Sequence, residues 1–226
     1  GVVVLGTIKD DSAKETLVEE LVQYYESVYD SELERFVMTT KEVEDYPHAI
    51  WWTFKDVLTN FSFGNPDPEV IGFLYQNRQH VKNLNINRLI NSVVDYVKTE
   101  TFKESGMHHI LSVAHFYNRV DKDVQNLIKD RLIEVIDYEI EKNIDKWNEY
   151  TFEPYKVYIV APDLCTNQMV NLEKNLQLLL DKVSTLSVSI PWKWYRDEDV
   201  FEAVKNDWLG YLYFNMIKAL RLHREL

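Results

Sequence analysis

The segment Asp45-Tyr-Pro-His-Ala-Ile-Trp-Trp52 holds the densest group of residues suited to chemistry or ligand binding. Indole faces attract cations, and a histidine beside a carboxylate such as Asp45 can move a proton. His48, Trp51 and Trp52 are therefore candidates to line a cavity. The structural interpretation is the favoured one for this segment: the two tryptophans wedge between helix pairs and His48 caps a backbone carbonyl.

Other aromatic residues cluster in two segments predicted as long loops, residues 144–166 and 184–196. Loops carry binding residues disproportionately, but aromatic loops also plug the open end of a helical barrel. Both the binding interpretation and the plugging interpretation predict buried rings, and only the binding interpretation predicts a connected cavity. The predicted ligand-binding residues are Asp45, His48, Trp51, Trp52, Tyr150, Trp192, Trp194 and Trp208.

The common catalytic motifs are absent. Gly64-Asn65-Pro66 lacks the several glycines and the lysine of a phosphate-binding loop, and no Gly-x-Ser-x-Gly occurs. His108 and His115 share a helix face without an acidic third ligand, so they are predicted at a helix–helix seam. No catalytic residue is assigned, no cofactor is expected, and whether the protein is an enzyme stays open.

The elements that must position these residues are predicted to be helical. Six glycines and six prolines among 226 residues are too few for a many-turned β fold, and 46% hydrophobic residues can fill a full core. Capping residues and apolar spacing indicate helices, with no linker between them. The predicted helices are 12–29, a short one over 49–58, 65–78, one from Asn83 or Asn85 to 99, one from Ser105, 121–143, 166–183, a short one from Asp197, and 208–224. Asn65 and Asp121 are the predicted caps of the helices 65–78 and 121–143. The predicted apolar faces are Leu89, Ile90, Val93, Val94 and Val97 in the helix ending at 99, and Leu127, Ile128, Leu132, Ile133, Ile136 and Ile140 in the helix 121–143. The fold class is all-α, in one domain spanning residues 1–226.

The net charge of −12 disfavours binding to nucleic acids or to anionic membrane surfaces. No stretch reaches the roughly 18 apolar residues that span a bilayer. The single cysteine, Cys165, excludes an internal disulfide framework and a cysteine-rich zinc site, as expected in a reducing compartment. A cytoplasmic protein is therefore predicted.

Three segments carry a resemblance to a known superfamily. They resemble segments found in the same order in a little-characterised set of bacterial and fungal proteins. The three are Tyr46-Pro-His-Ala-Ile-Trp-Trp52 with Asn65-Pro-Asp-Pro-Glu-Val-Ile-Gly-Phe-Leu-Tyr75, Lys146-Trp-Asn-Glu-Tyr-Thr-Phe-Glu-Pro154, and Asn206-Asp-Trp-Leu-Gly210 with Leu220-Arg-Leu-His223. The proteins of that set resemble the terpenoid cyclase/protein prenyltransferase superfamily. The resemblance implies an α/α toroid (a helical-hairpin barrel), complete or partial, and implies no particular activity.

The chain departs from that superfamily at its chemical motifs. Ser184-Thr-Leu-Ser-Val-Ser-Ile-Pro-Trp192 stands where a Gln-x-x-Asp-Gly-x-Trp repeat is expected, and no Asp-x-Asp-Asp acid motif occurs. Prenyltransferase β subunits bind zinc through an Asp-x-Cys pair and a distant histidine. By that resemblance, Asp163, Cys165 and His223 form an alternative zinc site, but the leading expectation is that no metal binds.

The predicted function is binding of an apolar or glycan-like ligand in a central aromatic-lined cavity. Two alternatives stay open: an enzyme of prenyl or terpenoid chemistry, zinc-dependent or metal-free, and a purely structural or interaction domain. The predicted helices are fewer than the roughly twelve of a closed toroid. An exposed apolar edge would then favour a homodimer.

Overall fold

The computed structural model describes residues 11–37, 39, 41–46, 48, 53–54, 63–190 and 198–225, and the described chain is all-α apart from one two-residue strand pair. In chain order its elements are α1 (Asp11–Ser27), β1 (Tyr29–Asp30), β2 (Arg35–Phe36), α2 (Asp67–Gln76), α3 (Ile86–Lys98), α4 (Glu100–Lys103), α5 (Met107–Arg119), α6 (Lys122–Glu139), α7 (Pro154–Tyr158), α8 (Met169–Ser184) and α9 (Glu198–Glu225). Short 3₁₀ turns cover Lys41–Asp45, Arg78–His80, Ile144–Asn148, Pro162–Leu164 and Thr166–Gln168.

Contacts divide the chain into two compact units between Ile128 and Lys129, a position inside α6. The single-domain assignment stays a prediction, and each unit is described by itself. Within the described residues, no helix is both long enough and apolar enough to cross a bilayer.

Helix α3 follows from its local sequence. The side chain of Asn85 accepts a hydrogen bond from the backbone N–H of Arg88 and caps the first turn. All five members of the predicted apolar stripe are buried, namely Leu89, Ile90, Val93, Val94 and Val97. Burying one such side chain stabilises the fold by about 1.5–3 kcal/mol, so this stripe anchors α3 to the core of the first unit.

Helices α2 and α5 pack closely because Gly72 has no side chain. A Cβ at Gly72 would lie 2.8 Å from the backbone Cα of Phe116. Beside this contact, Ser112 Oγ accepts a hydrogen bond from the Glu69 N–H at 3.1 Å, and the Arg119 guanidinium donates to the Glu69 carbonyl at 3.0 Å. The first turn of α2 is therefore held to α5 by side-chain hydrogen bonds.

The β1–β2 pair is antiparallel, with Tyr29 opposite Phe36. Asp30 Oδ1 accepts hydrogen bonds from Glu32 and Leu33 N–H at 2.9 Å each, which closes the connecting turn. Asp67 Oδ1 accepts the Phe36 N–H at 2.7 Å, so the pair is tied to the start of α2. The prediction that Asn65 caps this helix was wrong, because the helix begins at Asp67 after Pro66.

The second unit differs from the sequence prediction in two places. Residues 144–166 are a series of short helical turns rather than one long loop, and Trp147 is 1% exposed within them. The predicted break between a short helix from Asp197 and one from Trp208 is also wrong, because α9 continues from Glu198 to Glu225. Good helix-forming residues bridge the predicted gap, and no proline interrupts them.

Within α6 the predicted cap and most of the apolar face are confirmed. Asp121 Oδ1 accepts the Val124 N–H at 3.2 Å, and Ile128, Leu132 and Ile136 are buried. Leu127 was predicted on the same face and is 57% exposed. Its spacing fits the edge of the stripe, and only the packed neighbours decide where that edge lies.

Candidate functional site

The structure describes four of the eight predicted ligand-binding residues. Trp51, Trp52, Trp192 and Trp194 lie outside the described residues. Asp45 and Tyr150 are exposed, and Trp208 is half-buried with its ring edge-to-face against Tyr211, centroids 5.9 Å apart. The predicted aromatic-lined cavity therefore stays a prediction.

His48 contacts a backbone carbonyl. Its ring Nδ1 lies 2.7 Å from the Tyr46 carbonyl oxygen, so it donates a hydrogen bond there, and Nε2 lies 3.9 Å from Glu44 Oε1. This arrangement matches the structural interpretation of a carbonyl-capping histidine. The carboxylate that His48 meets belongs to Glu44, one residue before the Asp45 singled out from the sequence.

The three residues of the alternative zinc site have other surroundings. Cys165 is fully buried, and burial, with a smaller effect from the Asp163 charge, raises the pKa of its thiol to about 12. Asp163 forms an ion pair with Lys129 at 3.3 Å. The His223 ring lies edge-to-face against the Tyr158 ring, with centroids 6.5 Å apart. Among the described residues, one group of three or more potential metal-ligating side chains converges within 4.8 Å, and it includes none of these three.

A small pocket in the second unit brings charged and aromatic side chains together. It lies beside α7, the last turn of α8 and the middle of α9, and its volume is about 40 Å³. Its charged and aromatic lining residues are Trp147, Glu149, Glu153, Tyr155, Lys156 and Lys182. The serines and aliphatic residues around them come from the segment after α8 and from α9.

Glu153 and Asn175 set the geometry of this pocket. Glu153 directly precedes α7 and is 5% exposed, and its Oε2 accepts a hydrogen bond from Asn175 Nδ2 at 3.0 Å. The Oδ1 of Asn175, which is fully buried in α8, accepts the N–H of Tyr155 at 3.1 Å. One amide thus satisfies both the buried carboxyl group and an unpaired donor in the first turn of α7.

The two lysines reach the pocket from different elements. Lys156, in α7, donates to the Thr151 carbonyl at 2.5 Å and lies over the Tyr150 ring, 5.3 Å from its centroid. Lys182, in the last turn of α8, donates to the Trp147 carbonyl at 3.3 Å. An ammonium group has three donors, so its bond to the Trp147 carbonyl does not use all the donors of Lys182.

The charges in the pocket perturb one another. Burial raises the pKa of Glu153, while the Asn175 hydrogen bond and the two lysine charges partly offset that effect. Burial lowers the pKa of Lys156, the Glu153 charge opposes the shift, and the Lys182 charge adds to it. Perturbed acids and bases that line one cleft are typical of functional sites.

Sequence reasoning singled out the Lys146–Pro154 segment but assigned no role to Glu153, Lys156, Lys182 or Asn175. The polar residue at the buried face of α8 was a usable signal, because Asn175 lies between Leu172 and Leu176 in an apolar stripe. No spacing rule pairs Lys156 with Lys182, since they lie on different helices.

Comparisons with protein-family models, with curated proteins and with solved structures found no match to this chain.

Proposed function

We propose that this protein binds a small polar ligand, one that carries carboxylate or hydroxyl groups as a glycan-like molecule does, in the pocket of its second unit. The observation that carries the proposal is the convergence of Lys156, Lys182 and the buried Glu153 beside Trp147. Ligand sites typically combine an apolar wall with a few converging polar groups. Here the ammonium groups would donate hydrogen bonds to carboxylate oxygens, and Glu153 would accept a hydrogen bond from a hydroxyl group.

The polarity of the pocket favours the glycan-like ligand over the apolar one. An apolar group would displace water from two lysines and two glutamates without replacing their hydrogen bonds, which costs free energy at each buried polar group. A volume of about 40 Å³ holds a few waters or one carboxylate-sized group. The pocket would thus take one end of the ligand, with the rest outside it.

The test is a titration of the whole protein with glucuronate, glucose and hexanoate. Binding is measured by calorimetry and by the chemical shifts of backbone amides in NMR spectra. We expect glucuronate to bind most tightly, with the largest shifts around Lys156 and Lys182. Replacing Lys182→Met should weaken glucuronate binding about 10- to 100-fold, since a hydrogen bond to a charged group contributes about 1.5–3 kcal/mol. Lys174→Met is the matched control, because Lys174 is exposed on the same helix.

Preferential binding of hexanoate, an absence of saturable shifts at the pocket, or equal losses in Lys182→Met and Lys174→Met would each overturn the proposal. An enzyme of prenyl or terpenoid chemistry would instead need acids facing an apolar cavity, and the polar lining gives that alternative no support.

We further propose that the helices belong to an α/α toroid, complete or partial. Packing of consecutive helices against each other supports this: α2 against α3 in the first unit, and α8 against α9 in the second. A homodimer is proposed with it, because Tyr211, Phe214 and Ile217 expose an apolar stripe along α9. A monomeric mass in light scattering would contradict the dimer, and an experimental structure without ring-forming helix pairs would contradict the toroid.

A further inference from the structure

Two glutamates and a histidine converge on the surface of the first unit. Glu15 and Glu19 lie one turn apart on α1, and His80 ends the 3₁₀ turn Arg78–His80 after α2. His80 Nδ1 lies 3.3 Å from Glu19 Oε1, and His80 Nε2 lies 4.0 Å from Glu15 Oε1. One ligand atom from each of the three lies within 4.8 Å of the other two.

The segment that carries His80 is held against α1 by Glu26. This residue lies on the same face of α1, two turns beyond Glu19, and its Oε1 accepts the N–H groups of Lys82 at 2.8 Å and Asn83 at 2.5 Å. Val22 lies on that face between Glu19 and Glu26 and is fully buried. The position of the histidine relative to the helix is thus set by contacts outside the three-residue group.

The three side chains differ in how far they can adjust. The His80 side chain is 16% exposed, whereas those of Glu15 and Glu19 are 70% and 50% exposed. The imidazole is mostly buried, and the two carboxylates extend into solvent, where they can rotate. A tetrahedral ion with bonds of about 2.0–2.2 Å places its ligand atoms roughly 3.3–3.6 Å apart, which modest rotation of the glutamates would reach.

One imidazole nitrogen with two carboxylate oxygens is a donor set suited to Zn²⁺ and its transition-metal neighbours. Ca²⁺ takes six to eight oxygen ligands and Mg²⁺ demands an oxygen octahedron, so neither fits a three-residue group that includes nitrogen. Three protein ligands also leave one tetrahedral position to water.

We propose that Glu15, Glu19 and His80 form a Zn²⁺-binding site that joins α1 to the turn after α2. The competing account is that His80 only forms ion pairs with the two carboxylates. Zinc binding would stabilise the folded protein in proportion to the logarithm of free zinc, which ion pairing alone does not do.

The test is calorimetric titration of the untagged, chelator-treated full chain with Zn²⁺, with Co²⁺ absorption as a report on ligand geometry. We expect saturable binding of one ion and a Co²⁺ d–d band typical of low coordination. Replacing His80→Ala or Glu19→Gln should weaken binding at least about tenfold. Because Glu19 is exposed, Glu19→Gln tests the site even if His80→Ala fails to fold.

Two variants are matched controls. Glu20→Gln removes a neighbouring exposed carboxylate of α1, and His115→Ala removes a histidine of another helix, whose Nδ1 lies 4.0 Å from Glu69 Oε1. Both should bind Zn²⁺ as the unmodified protein does. Absence of saturable binding, or equal binding by Glu19→Gln and Glu20→Gln, overturns the proposal and leaves ion pairing only.

Discussion

Asp67 accepts a hydrogen bond from the backbone N–H of Phe36 through Oδ1, while its Oδ2 has no partner among the described residues. The carboxyl group is fully buried, and burial raises its pKa from 3.8 to about 7, against the opposing effects of the Phe36 hydrogen bond and the Arg35 charge. A link between the strand pair and α2 thus depends on a group that titrates near neutral pH.

We predict that Asp67→Asn removes part of the pH dependence of stability. Because the folded-state pKa is raised, the folded protein holds a proton that the unfolded chain releases above pH 4, so stability falls as pH rises towards 7. When the pH is raised from 5 to 8, ionisation of Asp67 should lower the free energy of unfolding of the unmodified protein by about 2–3 kcal/mol. Asp67→Asn should lack this contribution, because its amide does not titrate.

Urea unfolding at both pH values measures this difference. Asp95→Asn, at an exposed position of α3, is the control and should keep the pH dependence of the unmodified protein. If Asp67→Asn showed the same pH dependence of stability as the unmodified protein, the buried Asp67 carboxyl group would not be the titrating group.

Two glycine substitutions should have opposite effects. Gly72→Ala places a methyl group 2.8 Å from the Phe116 backbone, so α2 and α5 must separate, and we expect a loss of about 1–3 kcal/mol. Gly210→Ala meets nothing within 4 Å inside the long helix α9, and it should stabilise by up to about 1 kcal/mol through helix propensity. Thermal unfolding of both variants tests this, and a neutral Gly72→Ala would contradict the close packing.

Asn175→Leu should destabilise the second unit by about 2–4 kcal/mol. It leaves the Glu153 carboxyl group and the Tyr155 N–H buried without their partner, and each unsatisfied group costs about 1–3 kcal/mol. Gln177→Leu is the control, because its side-chain bond to Asp181 is exposed. Denaturant unfolding compares the two, and similar small losses would show that the Asn175 contacts contribute little.

Cys165 should resist thiol reagents in the folded protein. Its side chain is buried and the raised pKa keeps it a thiol, whereas the reactive species is the thiolate. Labelling with a disulfide reagent at pH 8 should be slow and should accelerate when denaturant opens the chain. Rapid stoichiometric labelling without denaturant would contradict this burial and would reopen the zinc alternative at Asp163, Cys165 and His223.

Features that depend on neighbours in sequence were predictable. The five apolar residues of α3 repeat at helical spacing, and Asp121 caps α6, because both effects act within one or two turns. The candidate site was not predictable in the same way. Tyr150 was expected to face a ligand and is exposed beside the Lys156 ammonium group, while Glu153, three residues later, is buried in the pocket.

The all-α class was predictable from the residues alone, since helical periodicity and capping are local properties that need no partner. Which polar side chains come together depends on the packing of the helices. The Asp67–Phe36 bond, the meeting of Lys156 with Lys182 and the approach of His80 to Glu15 and Glu19 each join separate segments. These contacts were not predictable because burial and charge coupling depend on distances in space, which the packing of the helices sets and residue spacing along the chain does not.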